Sequence, residues 1–190
     1  RKGHTFIAHY GKGYDFQFVA EWLIAHGVKP KIISNGQKIL HLEVKQDCNI
    51  RFIDSISFTL MPLRDFPKTF GLTELAKGHF PHKFNTDENQ NYIGPYPAEE
   101  FYGYNEMKSD DKKQFDEWYY TVRDKVFNFK TEMYTYCRSD VDILRRGCIA
   151  YRNLFLLTVQ IDPFQYITLA SVCSAIYRSE FLPENTIGIY

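Results

Sequence analysis

Apolar residues follow two rhythms along this chain, and the switches between them outline a mixed architecture. Thr5-Phe6-Ile7-Ala8-His9 is a short apolar run of the kind that forms a buried strand, followed by the loop Gly11-Lys12-Gly13. From Asp15 to His26 the apolar positions Phe16, Val19 and Leu23 recur every three or four residues, which predicts a helix closed by Gly27 and stopped by Pro30. Lys31 to Ser34 and Lys38 to Val44 flank the turn pair Asn35-Gly36, so a hairpin is expected there, with a further strand from Asn49 to Asp54. Residues 55–104 read as loop, carrying Pro62, Pro67, Pro81, Pro95 and Pro97; a stretch that long marks a functional or binding arm.

Helical spacing returns from Ser109 to Phe127, and again from Lys130 towards Thr158. In the second of these, Met133, Cys137, Val141, Leu144, Cys148, Tyr151 and Phe155 step by three or four and predict one buried face. Asp162-Pro163 breaks the pattern, a last helical stretch spans Tyr166 to Phe181, and a final apolar run closes at Tyr190. Strands alternating with helices indicate an α/β domain.

Composition narrows the choices. The 190 residues are 44% hydrophobic and 17% aromatic, enough for a packed core. Lys+Arg and Asp+Glu both number 23, so bulk positive charge is not what would hold the chain on nucleic acid. That balance leaves room for a nuclease, whose carboxylates offset nearby cations. Cys48, Cys137, Cys148 and Cys173 form no CxxC and no short Cys/His cluster, which argues for reduced thiols rather than zinc or disulfides. No apolar run approaches the length of a membrane span, and no membrane partner is expected. The chain starts at Arg1 without a methionine and ends inside an apolar run, so it is expected to be a segment of a longer polypeptide.

Two places carry candidate chemistry. Asp15 follows a strand and a glycine loop at the start of a helix, where α/β folds present functional groups, although an aspartate there also serves as a helix cap. Tyr136 and Asp140 lie four apart on the long helix and share a face. A phenol beside a carboxylate suits metal-assisted hydrolysis, and is equally a common surface pair. Gly11-Lys12-Gly13 lacks the Gly-Lys-Ser/Thr ending of a P-loop. His79 and His82 have no third ligand at suitable spacing for a metal, and the charged run 109–113 reads as a solvated helix start.

Taken together, the motifs resemble the 3′–5′ exonuclease region of family B DNA polymerases of the protein-primed branch, found in bacteriophages, linear organellar plasmids and self-synthesising transposons. Phe6 to Asp15 resembles the second exonuclease motif, and Tyr136-Cys137-Arg138-Ser139-Asp140, continuing Val141-Asp142-Ile143-Leu144, resembles the third. Asp54-Ser55 is similar to the start of a Ser-Leu motif that grips single-stranded DNA, and Lys77 to Asn85 is similar to a lysine segment. Asp162-Pro163-Phe164 and Thr168-Leu169-Ala170-Ser171 resemble the passage towards the palm.

The resemblance implies a ribonuclease-H-like exonuclease domain over 1–158, partial because its N-terminal strands are lacking, and a palm-connecting region over 159–190. It implies that Asp15 and Asp140 ligate Mg2+ or Mn2+, that Tyr136 positions water, and that Lys77 sits near the scissile phosphate. Tyr10, Ser55, Phe58 and His82 would meet the DNA strand. Primer-terminus or single-stranded DNA is the implied partner, with a terminal priming protein beside it. Two departures bear on activity. The first motif, Asp-x-Glu, has no counterpart, and the Asn of the second motif is Tyr10 here. The chain alone is therefore expected to be inactive, with an apolar sheet edge around Phe6 and Ile53 open to pairing. The alternative is a non-catalytic remnant of a mobile-element polymerase that binds DNA or protein.

Overall fold

The computed structural model describes residues 3–45, 49–72 and 78–186. They form a mixed α/β arrangement divided into two compact units: Arg1–Leu72 with Leu144–Tyr190, and Thr73–Ile143.

The first unit is organised on a sheet in the order β1-β4-β3-β2, built from β1 (His4–Ala8), β2 (Lys31–Asn35), β3 (Lys38–Val44) and β4 (Ile50–Asp54). β1 and β4 are parallel, which requires a crossover, and α1 (Asp15–Ala25) supplies it. Gly27, at φ 75°, ends α1 as anticipated: its N–H donates to Ile24 O and that of Val28 to Leu23 O. β2 and β3 form the hairpin, with Gly36 in the turn at φ 58°.

β1 is not buried as its apolar sequence suggests. It pairs with β4 alone among the described residues, and His4, Thr5 and Phe6 are exposed. The anticipated apolar edge is therefore half present: Phe6 is 51% exposed, whereas Ile53 is fully buried. Ile53 instead anchors a core with Phe58, Cys148, Tyr151, Phe164 and Val172.

Beyond β4 come two single helical turns, α2 (Ile56–Thr59) and α3 (Phe66–Thr69). The second unit follows, with β5 (Ile93–Pro95), α4 (Ser109–Val122), β6 (Val126–Asn128) and the first half of α5 (Phe129–Val159). The helical pattern expected to reach Phe127 stops at Val122, because residues 126–128 pair antiparallel with 93–95. Asn128 then caps α5, its side-chain oxygen accepting from Thr131 N at 3.2 Å. An aromatic core of Phe80, Phe127 and Phe129 fills this unit.

α5 is the expected long helix, and Met133, Leu144, Cys148, Tyr151 and Phe155 of the expected stripe pack on the cores. Cys137 and Val141 are exposed, while Tyr136 and Asp140 are half-buried and Ile143, Gly147 and Tyr151 are buried. After α5, Asp162 accepts from Phe164 N and pairs with Arg152 at 2.7 Å, fixing the break. α6 (Leu169–Ile176) begins at Thr168, whose hydroxyl accepts from Ser171 N. It is shorter than the expected 166–181 helix, since a π-turn takes over at Tyr177–Phe181. Residues 187–190 of the final apolar run lie outside the described residues.

Candidate functional site

Parallel pairing of Ala8 with Asp54 brings the C-terminal ends of β1 and β4 to the same edge of the sheet. In α/β folds this edge is where ligands bind, because the following loops are free to be shaped there. Here they are tied together. Asp54 is fully buried; its Oδ1 accepts from Tyr10 N at 2.8 Å and Ile56 N at 3.1 Å, and its Oδ2 from Lys12 N at 2.9 Å. A buried carboxylate needs this many donors to offset the loss of water. Ser55 is also fully buried, and its N–H and hydroxyl both donate to Ala8 O. Since that uses the only hydroxyl proton, His9 Nδ1, 2.9 Å from Ser55 Oγ, is assigned as the donor of their shared bond. Lys12 Nζ reaches Ser57 Oγ at 3.3 Å.

This lattice shapes what the loop presents. Tyr10 adopts a left-handed backbone, φ 66° and ψ 16°, with its side chain 53% exposed. Asp15 is exposed as the first residue of α1. It does not cap the helix: Tyr14 occupies that position without a side-chain capping bond. A carboxylate in the first turn is instead favoured by the helix dipole.

The second unit holds the other candidates. Tyr136 hydrogen-bonds Asp140 one helical turn away, as the spacing anticipates. Burial, the adjoining Asp140 charge and that hydrogen bond hold the Tyr136 phenol well above its usual range. It is thus a neutral donor at any working pH. Its ring lies 5.3 Å from Phe80 and 5.4 Å from His82, centroid to centroid, and a Cβ at Gly78 would touch it at 4.0 Å. Lys77 lies outside the described residues.

The residues expected along a DNA strand thus separate. Tyr10 and His82 are exposed; Ser55 is buried beneath the Tyr10 loop, and Phe58 is 2% exposed in the core. Asp54 and Phe80 fell within motifs that the resemblance covers, but neither was singled out as a site residue. An aspartate ending an apolar strand was the local signal for the first, although nothing near it in sequence points to residues 10 and 12. Nothing local marked the second, whose contact with Tyr136 spans 56 positions of sequence.

The whole chain, residues 1–190, matches the model of the family described as DNA polymerase type B, organellar and viral. The chain belongs to this family. Among curated relatives, a probable DNA polymerase of Ascobolus immersus is 29% identical over 97% of this chain and 16% of its own length. Probable DNA polymerases of Neurospora intermedia and Agaricus bitorquis are 25% and 27% identical, again over 97% of the chain, covering 20% and 23% of those proteins. The chain therefore spans less than a quarter of the length of these relatives. No solved structure matches it.

Divalent metal ions are typical of type B DNA polymerases. Among the described residues no group of three or more His, Cys, Asp or Glu forms a metal cluster, so these residues do not by themselves fit a two-metal site. Asp54 has both oxygens committed to backbone donors. No hydrolytic step is assigned to the chain alone. Among the described residues no helix is long and apolar enough to cross a membrane.

Proposed function

We propose that this chain is the 3′–5′ exonuclease region of a protein-primed DNA polymerase and that it takes hold of single-stranded primer ends. The observation that carries the reading is the Tyr136–Asp140 hydrogen bond on the half-buried face of α5. A phenol and a carboxylate bonded together on a half-buried helix face break the apolar pattern in the way functional sites do. The neutral phenol suits orientation of a water or a phosphate oxygen, and Asp140 suits ligation of a divalent ion. Asp15, exposed at the start of α1, is the other proposed ligand. Further carboxylates would come from elsewhere in a longer polypeptide, so the chain alone contributes DNA binding without hydrolysis. Exposed Tyr10 and His82 offer flat faces for unpaired bases, worth about 1–3 kcal/mol for each base stacked. A terminal priming protein is the partner that this branch of polymerases implies.

Fluorescence anisotropy with a labelled primer–template tests the reading. Tighter binding of a frayed 3′ end than of a blunt duplex, weakened in Tyr10→Ala, is the expected result. Equal affinity for both DNAs, or none for either by the folded chain, would overturn it.

A further inference from the structure

We propose that Asp54 is a positioning residue, the group that sets the conformation of the 10–12 loop and so the presentation of Tyr10 to a DNA end. The effect on DNA rests on the function proposed above; the effect on the loop does not.

The geometry points to Asp54 because of where its donors come from. Two of its three backbone partners, Tyr10 N and Lys12 N, belong to a loop 42 to 44 positions earlier in the chain. The carboxylate thus staples the loop after β1 to the end of β4. Tyr10 N and Lys12 N also lie outside the β1–β4 ladder, which ends at Ala8. Without Asp54 these N–H groups would have no anion to converge on, and left-handed Tyr10 would lose the bonds that offset its cost relative to the ordinary conformations open to a tyrosine. Gly11 leaves no room for a larger residue in the loop. It is buried, and a Cβ on it would press against Ala8 Cβ at 2.7 Å and the Phe16 ring at 2.8 Å. Gly13 N donates back to Tyr10 O and Tyr14 N to Gly11 O, so the shape set at Tyr10 passes directly to the first residue of α1, Asp15.

The identity of the side chain matters as well as its presence. Asp54 Oδ1 and Oδ2 both accept, so Asn in its place must turn an NH2 towards Lys12 N or towards Tyr10 N and Ile56 N. Asp54→Asn is therefore a nearly isosteric change that removes acceptors from one side of the staple.

Hydrogen exchange on the 190-residue chain, read amide by amide, is the test. In the wild type, Tyr10 and Lys12 amides are expected to exchange as slowly as the β1–β4 ladder although they lie in a loop. In Asp54→Asn they are expected to exchange about tenfold faster or more, as befits loss of a charge-assisted hydrogen bond, while Leu42 on β3 is unchanged. The same variant is expected to lose the preference for frayed 3′ ends. Loop-like exchange of these two amides in the wild type would overturn the proposal, and this holds even if the variant fails to fold. Uniform acceleration across the first unit, Leu42 included, would equally overturn it, since Asp54 would then be only a stability residue. A wild type that protects both amides and shows no preference for frayed ends contradicts the proposed function and leaves Asp54 as the holder of the loop.

Discussion

At φ 66° and ψ 16°, Tyr10 holds a conformation that costs an ordinary L-residue about 1–2 kcal/mol and that asparagine tolerates far better. The Asp54 bonds on either side of it offset that cost. Tyr10→Asn keeps the backbone donor and is expected to stabilise the chain by about 0.5–1 kcal/mol in urea denaturation. An unchanged or lower stability would show that the Tyr10 ring, which packs on Gly13, contributes more than the strain removes. Two histidines add a pH dependence. Burial, helped by Arg51 and Lys31 and opposed by Glu43, holds His41 below its ordinary value of 6.5. Burial likewise lowers His79, opposed by Asp111. His41 Nδ1 is also buried without a hydrogen-bond partner among the described residues. Below pH 6.5 the unfolded chain takes up these protons and the folded chain resists them, so the stability present above pH 6.5 is lost as the pH falls towards the lowered folded values. Melting temperature measured from pH 8 to pH 5 is expected to fall in that window, less steeply in His41→Leu; a slope that His41→Leu leaves unaltered would contradict this assignment.

Among the elements, α5 shows how far sequence pattern reaches. Its existence and length were legible, because apolar spacing over 31 residues leaves no other periodic solution. Counting hydrophobic residues placed the inward stripe correctly at Cys148 and Tyr151 and wrongly at Cys137 and Val141, where half-buried Tyr136 and Asp140 interrupt the apolar pattern. The Tyr136–Asp140 pairing was legible all the same, since one helical turn fixes it locally. β5 and β6 were missed for the opposite reason: three-residue strands are decided by a partner some 33 positions away. The Asp54 staple was equally hidden, since no local rule brings residue 54 to residues 10 and 12. Gly147, on the buried stripe of α5, supports a sharper expectation. A Cβ there would fall inside contact distance of the Phe66 ring, and Phe66 is fully buried. Gly147→Ala is expected to cost about 1–3 kcal/mol despite alanine's better helix propensity. A neutral or stabilising result in chemical denaturation would mean that Phe66 moves freely.

For the whole molecule, the first unit carries an apolar surface that its own described residues leave open. Phe6 stacks on Phe52 at 5.2 Å and remains 51% exposed on the unpaired side of β1. Beside it, Phe18, Trp22, Leu23, Val44 and Phe52 line an apolar hollow of about 430 Å³. An exposed strand edge with such a flank invites pairing between copies. Sedimentation velocity is expected to show concentration-dependent association of the chain that Phe6→Lys reduces; a monomer at all concentrations would contradict this. DNA is the ligand proposed for this chain, with Tyr10 in the first unit and the Tyr136–Asp140 turn in the second as the proposed contacts. Photocrosslinking tests that claim most directly, with 4-thiothymidine placed either at the 3′ terminus or in the interior of a single-stranded oligonucleotide. Adducts from the 3′-terminal label in the peptides containing Tyr10 and Tyr136, and few from the interior label, are the expected result. Equal crosslinking from both labels, or adducts confined to other peptides, would contradict the proposal that this chain holds primer ends.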